Sequence, residues 1–255
     1  MSSKVVDAAA DAVADIGHSA TLAVGGFGLC GIPDVLIGAI VATGSSDLEI
    51  ISNNCGVDEW GLGLLLSAGR IRRIVASYVG ENKEFARRYL HGELEVELTP
   101  QGTLAERLRA GGAGIPAFFT PAGAGSLVSD GGLPLRYNAD GSVALASEPK
   151  ETRMFGGRPY VLETALRADF ALVHAALGDA DGNLVFNKTA MNFNPLVAMA
   201  GRVTIAQVEH LVEPGEIEPG QVHLPGVFVQ RIVCTGAQAK RIEKRTVQPA
   251  TAGTS

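Results

Sequence analysis

The sequence predicts an α/β fold, an open and mostly parallel sheet with helices on both faces. Three observations support this prediction. Short apolar segments typical of strands alternate with segments of helical spacing along much of the chain. The 255 residues are 46% hydrophobic and only 5% aromatic, which suits a large core built mainly from aliphatic side chains. The 32 glycines occur in short clusters, which are typical of tight turns between such elements.

Helices and strands alternate through the first 110 residues. Helical spacing, a proline suited to the first turn and terminal glycines predict the helices Val5–Ile16, Asp34–Thr43, Leu62–Gly69, Lys83–Leu90 and Gly102–Ala110. Runs of aliphatic and β-branched residues predict the strands Ala20–Val24, Leu48–Ser52, Ile71–Ser77 and Leu94–Leu98. Because helices separate the strands, we expect a parallel sheet with right-handed connections.

The pattern changes in the middle of the chain, where turn signals separate short strand-like segments. Asn138–Gly141 lies within the segment Leu133–Ala146, and Gly156–Gly157 lies within Met154–Leu162. These signals predict an antiparallel hairpin insertion around residues 130–162.

Apolar strands return after the insertion. They are predicted at Phe170–His174, Val203–Val208 and Val227–Val233. No linker or internal repeat is visible, so residues 1–245 are interpreted as one domain that carries the hairpin insertion. Residues 246–255 are polar and are predicted to form a disordered tail.

Charge and residue usage disfavour several function classes. The net charge is −6 and no basic stripe is present, so we expect no nucleic-acid partner. Three widely spaced cysteines indicate a reducing compartment, and five histidines without ligand spacing predict no metal site. No targeting peptide or membrane-span-length apolar run is visible, so we expect a cytoplasmic protein without membrane contact. A G-x-S-x-G motif is also absent, which disfavours an α/β-hydrolase.

A glycine-rich segment follows the first predicted strand, and Gly26–Gly31 within it reads G-x-G-x-x-G. A dinucleotide site needs a helix that begins directly at the glycines and an acid at the end of the second strand. Pro33 instead places the helix start after the glycines, and the second strand ends in Ser52, Asn53 and Asn54. Two interpretations remain: a tight turn between strand and helix, or a loop whose backbone N–H groups contact a phosphate- or amide-bearing ligand.

Four segments carry a resemblance to a known family: "GGFGLCGIP", "ISNNCGVDEWGLGLLL", "SYVGENKEFARRYLHGELEVELTPQGTLAERLRAGGAGIPAF" and "ADFALVHA". Over roughly residues 4–243 the chain resembles the A subunit of the family I coenzyme A transferases. The resemblance implies an open α/β sheet related to sugar-phosphate isomerase-like folds. It also implies CoA and acyl-CoA as substrates, no permanently bound cofactor, and a separate B subunit, usually in an A2B2 heterotetramer.

The segment "GGLPLRYNADGSVALASEPKE" is similar to the branch of the family that moves CoA between succinyl-CoA and a 3-oxoacid such as acetoacetate. The resemblance implies ping-pong catalysis through a glutamyl-CoA thioester on the B subunit. The one comparable glutamate here, Glu81, lacks the serine that precedes the family's nucleophile, and we interpret it as an acid at a helix start. The chain is therefore expected to be inactive without the B subunit.

Three amide side chains are the candidate site residues of this chain. Asn53 and Asn54 follow the end of one predicted strand, and Gln101 follows the end of another, where α/β sheets bind ligands. Asn53 and Gln101 are predicted to support the reacting oxyanion, and Asn54 to bind substrate. An Asx turn at Asn54 and helix capping at Gln101 are the structural alternatives.

The CoA-contacting segment implied by the resemblance comprises Gly25, Gly26, Phe27, Gly28, Leu29, Cys30 and Gly31. Phe27 is expected either to close over the reacting centre or to fill the core. The two cysteines near the predicted site, Cys30 and Cys55, are interpreted as small residues that fill loops rather than as nucleophiles.

One departure from the family concerns acid specificity. Relatives commonly carry arginines where this chain has Asn187 and Met191. The alternatives are therefore a transferase for another short acid (3-oxoadipate, acetate or butyrate), a stand-alone sugar-phosphate isomerase-like protein, or a non-catalytic partner that retains the fold.

Overall fold

A sheet of eight strands forms the centre of the computed structural model, which describes residues 3–241. The strands of the chain are β1 (Thr21–Val24), β2 (Leu48–Ile51), β3 (Ile71–Ala76), β4 (Glu95–Leu98), β5 (Ala117–Thr120), β6 (Pro134–Tyr137), β7 (Val143–Ala146), β8 (Thr152–Phe155), β9 (Arg158–Thr164), β10 (Ala168–Asp179), β11 (Leu184–Val185), β12 (Gly201–Val212) and β13 (Arg231–Cys234). The α-helices are α1 (Ala9–Ala12), α2 (Asp34–Thr43), α3 (Gly63–Ser67), α4 (Lys83–Leu90), α5 (Gln101–Ala113), α6 (Leu127–Asp130) and α7 (Asn194–Ala200).

Seven strands of the central sheet run parallel in the order β13-β12-β10-β1-β2-β3-β4, and the short β11 pairs antiparallel with β10. Successive side chains of a strand point to opposite faces. In β1, Leu22 and Val24 pack into a core with α1 to α4, whereas Ala23 packs into a second core with α5 and α7. The predicted fold class, a mostly parallel sheet covered on both faces, is therefore confirmed.

Element ends differ from the prediction where distant pairing overrides local spacing. The helix predicted over Val5–Ile16 is reduced to α1, because Val5 forms a parallel bridge to Ile232 at the edge of the sheet. Backbone bonds on both sides, Val6 N–H to Ile232 O (2.8 Å) and Ile232 N–H to Lys4 O (2.8 Å), hold this segment extended. The strand predicted at Val227–Val233 begins only at Arg231, because Gly226–Phe228 forms a 3-10 helix.

The antiparallel region is larger and more divided than the insertion predicted around 130–162. β6 and β7 form a separate hairpin, whereas β8 and β9 join β5 in a three-stranded sheet. The prediction missed β5, which pairs with β9 across more than forty residues of chain. Both predicted turns are correct. Gly156 and Gly157, which join β8 to β9, have φ values of 55° and 76°, as a two-residue hairpin loop requires.

Two other predictions on chain organisation stay untested. The tail at 246–255 lies outside the described residues, and a single domain over 1–245 remains a prediction. Across residues 3–241, every helix is too short or too polar to cross a bilayer.

A network of buried charges joins the edge of the central sheet to the three-stranded sheet. Arg107 of α5, only 6% exposed, donates to Thr164 O (2.8 Å) and to the carboxylate of Glu97 in β4 (2.5 Å). Glu163 of β9 is 1% exposed and pairs with Lys150 at 2.7 Å. Burial would raise the pKa of Glu97, but the neighbouring cations, Arg107 above all, outweigh burial and lower it.

Removing the guanidinium of Arg107 is expected to destabilise the chain strongly. Arg107→Met removes a cationic partner from the half-buried Glu97 and from the buried Glu163, whose carboxylate lies 3.9 Å from Arg107 Nε. It should lower the free energy of unfolding by about 3 kcal/mol. Arg109→Met is the matched control, because Arg109 forms an exposed pair with Glu106 on the same helix and should cost less than about 1 kcal/mol. Urea denaturation measures both. Equal losses would show that the buried network does not stabilise the packing of the two sheets.

Candidate active site

A cavity of about 630 Å³ lies at the carboxyl edge of the parallel strands. Loops that follow β1, β2, β3 and β11 form its walls, as expected for ligand sites of open α/β sheets. Its lining residues are Phe27, Gly28, Cys30, Asn54, Gly56, Val57, Tyr78, Glu81, Lys188, Thr189, Met191 and Asn192. The candidate residues of three separate sequence segments therefore meet at one opening.

The glycine-rich loop forms a tight turn that exposes only part of its length. Phe27 and Cys30 exchange backbone hydrogen bonds of 3.0 and 2.9 Å, and Gly28 between them has a φ of 57°, which favours glycine. The following helix begins at Asp34, after the glycines, as the sequence predicts. Phe27 is 45% exposed and lines the cavity, so the alternative of a core-filling Phe27 is wrong.

The inner end of this loop is fixed by Asn194, a fully buried residue at the start of α7. Its Nδ2 donates to Gly31 O and Ala190 O, both at 2.8 Å, and its Oδ1 accepts from His174 N–H at 3.1 Å. A Cβ on Gly25 would lie 2.0 Å from Asn194 Oδ1. Sequence analysis missed Asn194, whose only signal is a polar residue in an otherwise apolar helical segment.

The seven residues of the predicted CoA-contacting segment thus have different surroundings. Gly25 and Gly26 are buried, and a Cβ on Gly26 would lie 2.4 Å from the side chain of Ile32. Phe27, Gly28 and Cys30 line the large cavity, whereas Leu29 and Gly31 line a smaller neighbouring cavity of about 190 Å³. Only the middle of the segment is thus placed for contact with a ligand in the large cavity.

The predicted amide residues form one hydrogen-bonded group. Asn53 is fully buried, and its Oδ1 accepts from Ser77 Oγ and from Gln101 Nε2, both at 2.8 Å. Asn54 Oδ1 accepts from Gly28 N–H at 3.1 Å, and Asn54 Nδ2 donates to Gly56 O at 3.3 Å. The group therefore connects the ends of β2 and β3, the start of α5 and the glycine-rich loop.

The three amides differ in access to a ligand. Asn54 lines the cavity, and Asn53 lies behind it and orients Gln101. Gln101 is exposed as the first residue of α5 and is not part of the cavity lining. A direct contact of Asn53 or Gln101 with substrate stays a prediction.

Glu81 lies at the start of α4, directly before the capping residue, as the sequence indicates. Asn82 caps α4 by accepting from Phe85 N–H at 2.8 Å, and its Nδ2 donates to Cys55 O at 2.9 Å. Glu81 precedes the cap, is exposed and lines the large cavity. The interpretation of Glu81 as an acid at a helix start therefore agrees with its position, and its carboxylate also contributes negative charge to the cavity wall.

The cysteines near the site have different reactivity. Cys55 is fully buried, and burial raises the pKa of its thiol to about 12, so it stays a protonated filler at neutral pH. Cys30 is partly exposed, lines both cavities and lies 3.2 Å from Thr189 Oγ1. The burial of Cys55 agrees with its interpretation as a filler, and the same interpretation of Cys30 stays a prediction.

His174 lies in the wall of the smaller cavity, where sequence analysis saw no function for it. Its Nδ1 lies 3.0 Å from Ile32 O, and its Nε2 lies 3.4 Å from a carboxylate oxygen of Glu209. Burial lowers the pKa of His174 and outweighs the opposing effect of Glu209. Within residues 3–241 no three His, Cys, Asp or Glu side chains form a group that could hold a metal ion, and the absence of a metal stays a prediction.

Comparison with known proteins places this chain in a family. Residues 6–235 match the family described as Coenzyme A transferase. The chain is 67% identical over 245 residues to the A subunit of the probable succinyl-CoA:3-ketoacid coenzyme A transferase of Mycobacterium tuberculosis H37Rv, covering 96% of this chain and 99% of that protein.

Two longer proteins match over about half their length. The chain is 53% identical over 235 residues to the human mitochondrial succinyl-CoA:3-ketoacid coenzyme A transferase 2, covering 92% of this chain and 46% of that one. A crystal structure of an acyl-CoA transferase from Escherichia coli O157:H7, in a thioester complex with CoA, has a TM-score of 0.78 at 23% identity, covering 93% of this chain and 48% of that chain. At this identity the structure shows a shared fold.

The close approach of Gly25 to Asn194 gives a test of the loop's anchor. Gly25→Ala should lower the urea midpoint markedly, because the added methyl group must displace the fully buried amide that holds Gly31 and Ala190. Gly38→Ala in α2 is the control. A Cβ there meets nothing within 4 Å, so this variant should gain about 0.5–1 kcal/mol from helix propensity. Unchanged stability of the Gly25→Ala variant would contradict the anchoring role of Asn194.

Proposed function

Because the chain belongs to the coenzyme A transferase family, we propose that it is the A subunit of an enzyme that moves CoA between succinyl-CoA and a 3-oxoacid such as acetoacetate. The main support is the 67% identity over 96% of the chain to a relative whose name states that activity. The hydrogen-bonded amides beside an open cavity of about 630 Å³ supply a site suited to an acyl group.

A second chain, the B subunit, is proposed to supply the nucleophile. The human relative is about twice as long as this chain, and the match covers 46% of the human protein. The remaining part of the human protein is long enough to contain the counterpart of a B subunit. Two A and two B chains are the proposed assembly. Phe27, Tyr78 and Met191, apolar side chains that line the cavity, are each between 45% and 48% exposed, which is consistent with a site that another chain completes.

The proposed reaction is ping-pong. A carboxylate oxygen of the partner's glutamate attacks the thioester carbon of succinyl-CoA, and the C–S bond breaks to give a mixed anhydride and CoA thiolate. The thiolate then attacks the glutamyl carbonyl carbon, which releases succinate and forms a glutamyl-CoA thioester. The second acid reverses both steps, forming its own CoA thioester and restoring the glutamate. Each attack places negative charge on a carbonyl oxygen.

Gln101 is suited to stabilise that charge. Its Nε2 carries two hydrogens, one of which is donated to Asn53 Oδ1. Asn53 Oδ1 also accepts from Ser77 Oγ, so two donors fix the orientation of the Asn53 amide. The second N–H of Gln101 is thereby held in one direction before an oxyanion forms, and a neutral donor does not trap the resting carboxylate as an ion pair.

The partner requirement is tested with succinyl-CoA and acetoacetate, using this chain alone and with a co-produced B subunit. Activity is expected only in the mixture, and replacing the partner's glutamate by alanine should abolish it. If this chain were active alone and lost that activity in Glu81→Gln, the proposal would be contradicted and Glu81 of the cavity wall would be the nucleophile. If the mixture were active only with 3-oxoadipate, acetate or butyrate, the proposed CoA transferase activity would stand, but the proposed acid substrate would be wrong.

The oxyanion role is tested by Gln101→Ala in the same complex. We expect kcat to fall about 100-fold or more, as for other lost oxyanion donors, with little change in KM. Glu106→Ala on the exposed face of the same helix should leave kcat unchanged. A fall in kcat below threefold for Gln101→Ala would refute the role of this amide.

A further inference from the structure

Lys188 carries the only positive side chain on the wall of the large cavity. Of the described residues that line it, Lys188, which also lines the smaller cavity, is the only lysine or arginine, and Glu81 is the only acid. Most of the other lining side chains are apolar or neutral, including Phe27, Val57 and Met191. An anionic group that enters this cavity therefore has one side chain of opposite charge to pair with.

The backbone of Lys188 is held in a conformation that a lysine adopts at a cost. Its φ is 50°, in the left-handed region that favours glycine. Residues Lys188–Met191 form a 3-10 helix, closed by an Ala190 N–H bond to Asn187 O at 3.0 Å. Strained non-glycine residues of this kind concentrate at ligand sites. The position retains a long cationic side chain where glycine would fit the backbone better.

Buried and half-buried amides fix this strained segment against the glycine-rich loop. Asn192 Nδ2 donates to Cys30 O at 3.1 Å and to Thr189 O at 2.7 Å. Asn194 Nδ2 bonds Ala190 O and Gly31 O, both at 2.8 Å. The Cα of Lys188 is therefore positioned by the same contacts that position the loop proposed to contact CoA.

The two acyl partners of the proposed reaction differ in charge. Succinate has two carboxylates, one of which becomes the thioester while the other stays anionic throughout. A 3-oxoacid such as acetoacetate has one carboxylate, which reacts, and a neutral ketone. A cation on the acyl-cavity wall can therefore distinguish the two acids. A single lysine among apolar side chains matches one carboxylate, whereas a pyrophosphate carries several charges and usually has several donors.

We propose that the ammonium group of Lys188 binds the non-reacting carboxylate of the succinyl group and so determines specificity for a dicarboxylic acyl donor. This inference rests on the proposed function and deepens it. Met191, in the same wall, offers no charge, so the preference depends on Lys188. The role is one of binding and orientation, because the group that Lys188 contacts takes no part in bond making.

The test uses the variant Lys188→Met in the complex that this chain forms with the B subunit. In ping-pong kinetics the kcat/KM of each substrate reports its own half-reaction, so four values are measured: succinyl-CoA, acetoacetate, acetoacetyl-CoA and succinate. We expect kcat/KM for succinyl-CoA and succinate to fall about 10–100-fold, the usual size of a lost charge-assisted contact. The values for acetoacetyl-CoA and acetoacetate should change less than about threefold. Lys188→Arg should retain most of the succinate activity.

A substrate lacking the charge completes the comparison. Butyryl-CoA has the carbon chain of succinyl-CoA without its free carboxylate. Wild-type enzyme should prefer succinyl-CoA to butyryl-CoA by about 10–100-fold, and Lys188→Met should lose this preference. Lys83→Met is the matched control, because Lys83 is an exposed lysine at the start of α4 that lines neither cavity. It should leave all ratios unchanged. Lys188→Gly, which suits the left-handed backbone, replaces Lys188→Met if the latter fails to fold.

Two results would overturn the inference. An equal loss with succinyl-CoA and acetoacetyl-CoA would assign Lys188 to a phosphate of CoA, which both thioesters share. Unchanged values for all four substrates would show that Lys188 contacts neither acid. A wild-type complex that transfers no CoA to any of these acids would instead refute the proposed function, so the two failures are distinguishable.

Discussion

The buried amide of Asn194 is the interaction on which the geometry of the site depends. It bonds Gly31 of the glycine-rich loop, Ala190 of the 3-10 segment and His174 of β10, which lie 163, 4 and 20 residues from Asn194 in sequence. A fully buried amide of this kind is stable only when its donors and acceptor are all paired, which makes its position unique. The Gly25 position, where a Cβ would lie 2.0 Å from this amide, has no room for a larger residue. The loop and the wall that carries Lys188 are thus one rigid unit.

A second group of amides connects the buried ends of the strands with exposed residues at the edge of the sheet. Asn53 is inaccessible, yet its carbonyl oxygen orients Gln101, and Asn54 bonds the backbone of Gly28. Hydrogen bonds between β2, β3 and β4 fix the ends of these strands relative to one another. The amides directly after the strands are therefore held more precisely than residues in a free loop would be. This arrangement holds neutral hydrogen-bond donors in a defined position, which suits a reaction in which an oxyanion forms only transiently.

Local sequence signals were sufficient for the half of the sheet that carries the site. Pro33, Gly44 and the apolar runs determine where β1, α2 and β2 begin and end, and the amides after the strands were placed near one another correctly. The failures share one cause, which is pairing between distant segments. Val5 continues extended because Ile232 bonds it, and β5 exists because β9 pairs with it. Asn194 has only a weak local signal, because two of its three hydrogen-bond partners, Gly31 and His174, lie in other segments of the chain.

The charge of the cavity follows from the same long-range packing. In sequence, Glu81 is interpreted as an acid at a helix start, and Lys188 is assigned no role. The cap is taken by Asn82, whose side chain also reaches Cys55 O, and this leaves Glu81 on the cavity wall. The left-handed turn at Lys188 adds one cation to that wall.

The net charge of the chain is −6, so it repels an anionic substrate at long range. A lysine that rigid neighbours hold at the cavity can attract the same substrate at short range, beside the glycine-rich loop. Under the proposed role of Lys188, specificity for an acid depends on a strained turn that the amides of Asn192 and Asn194 hold in place.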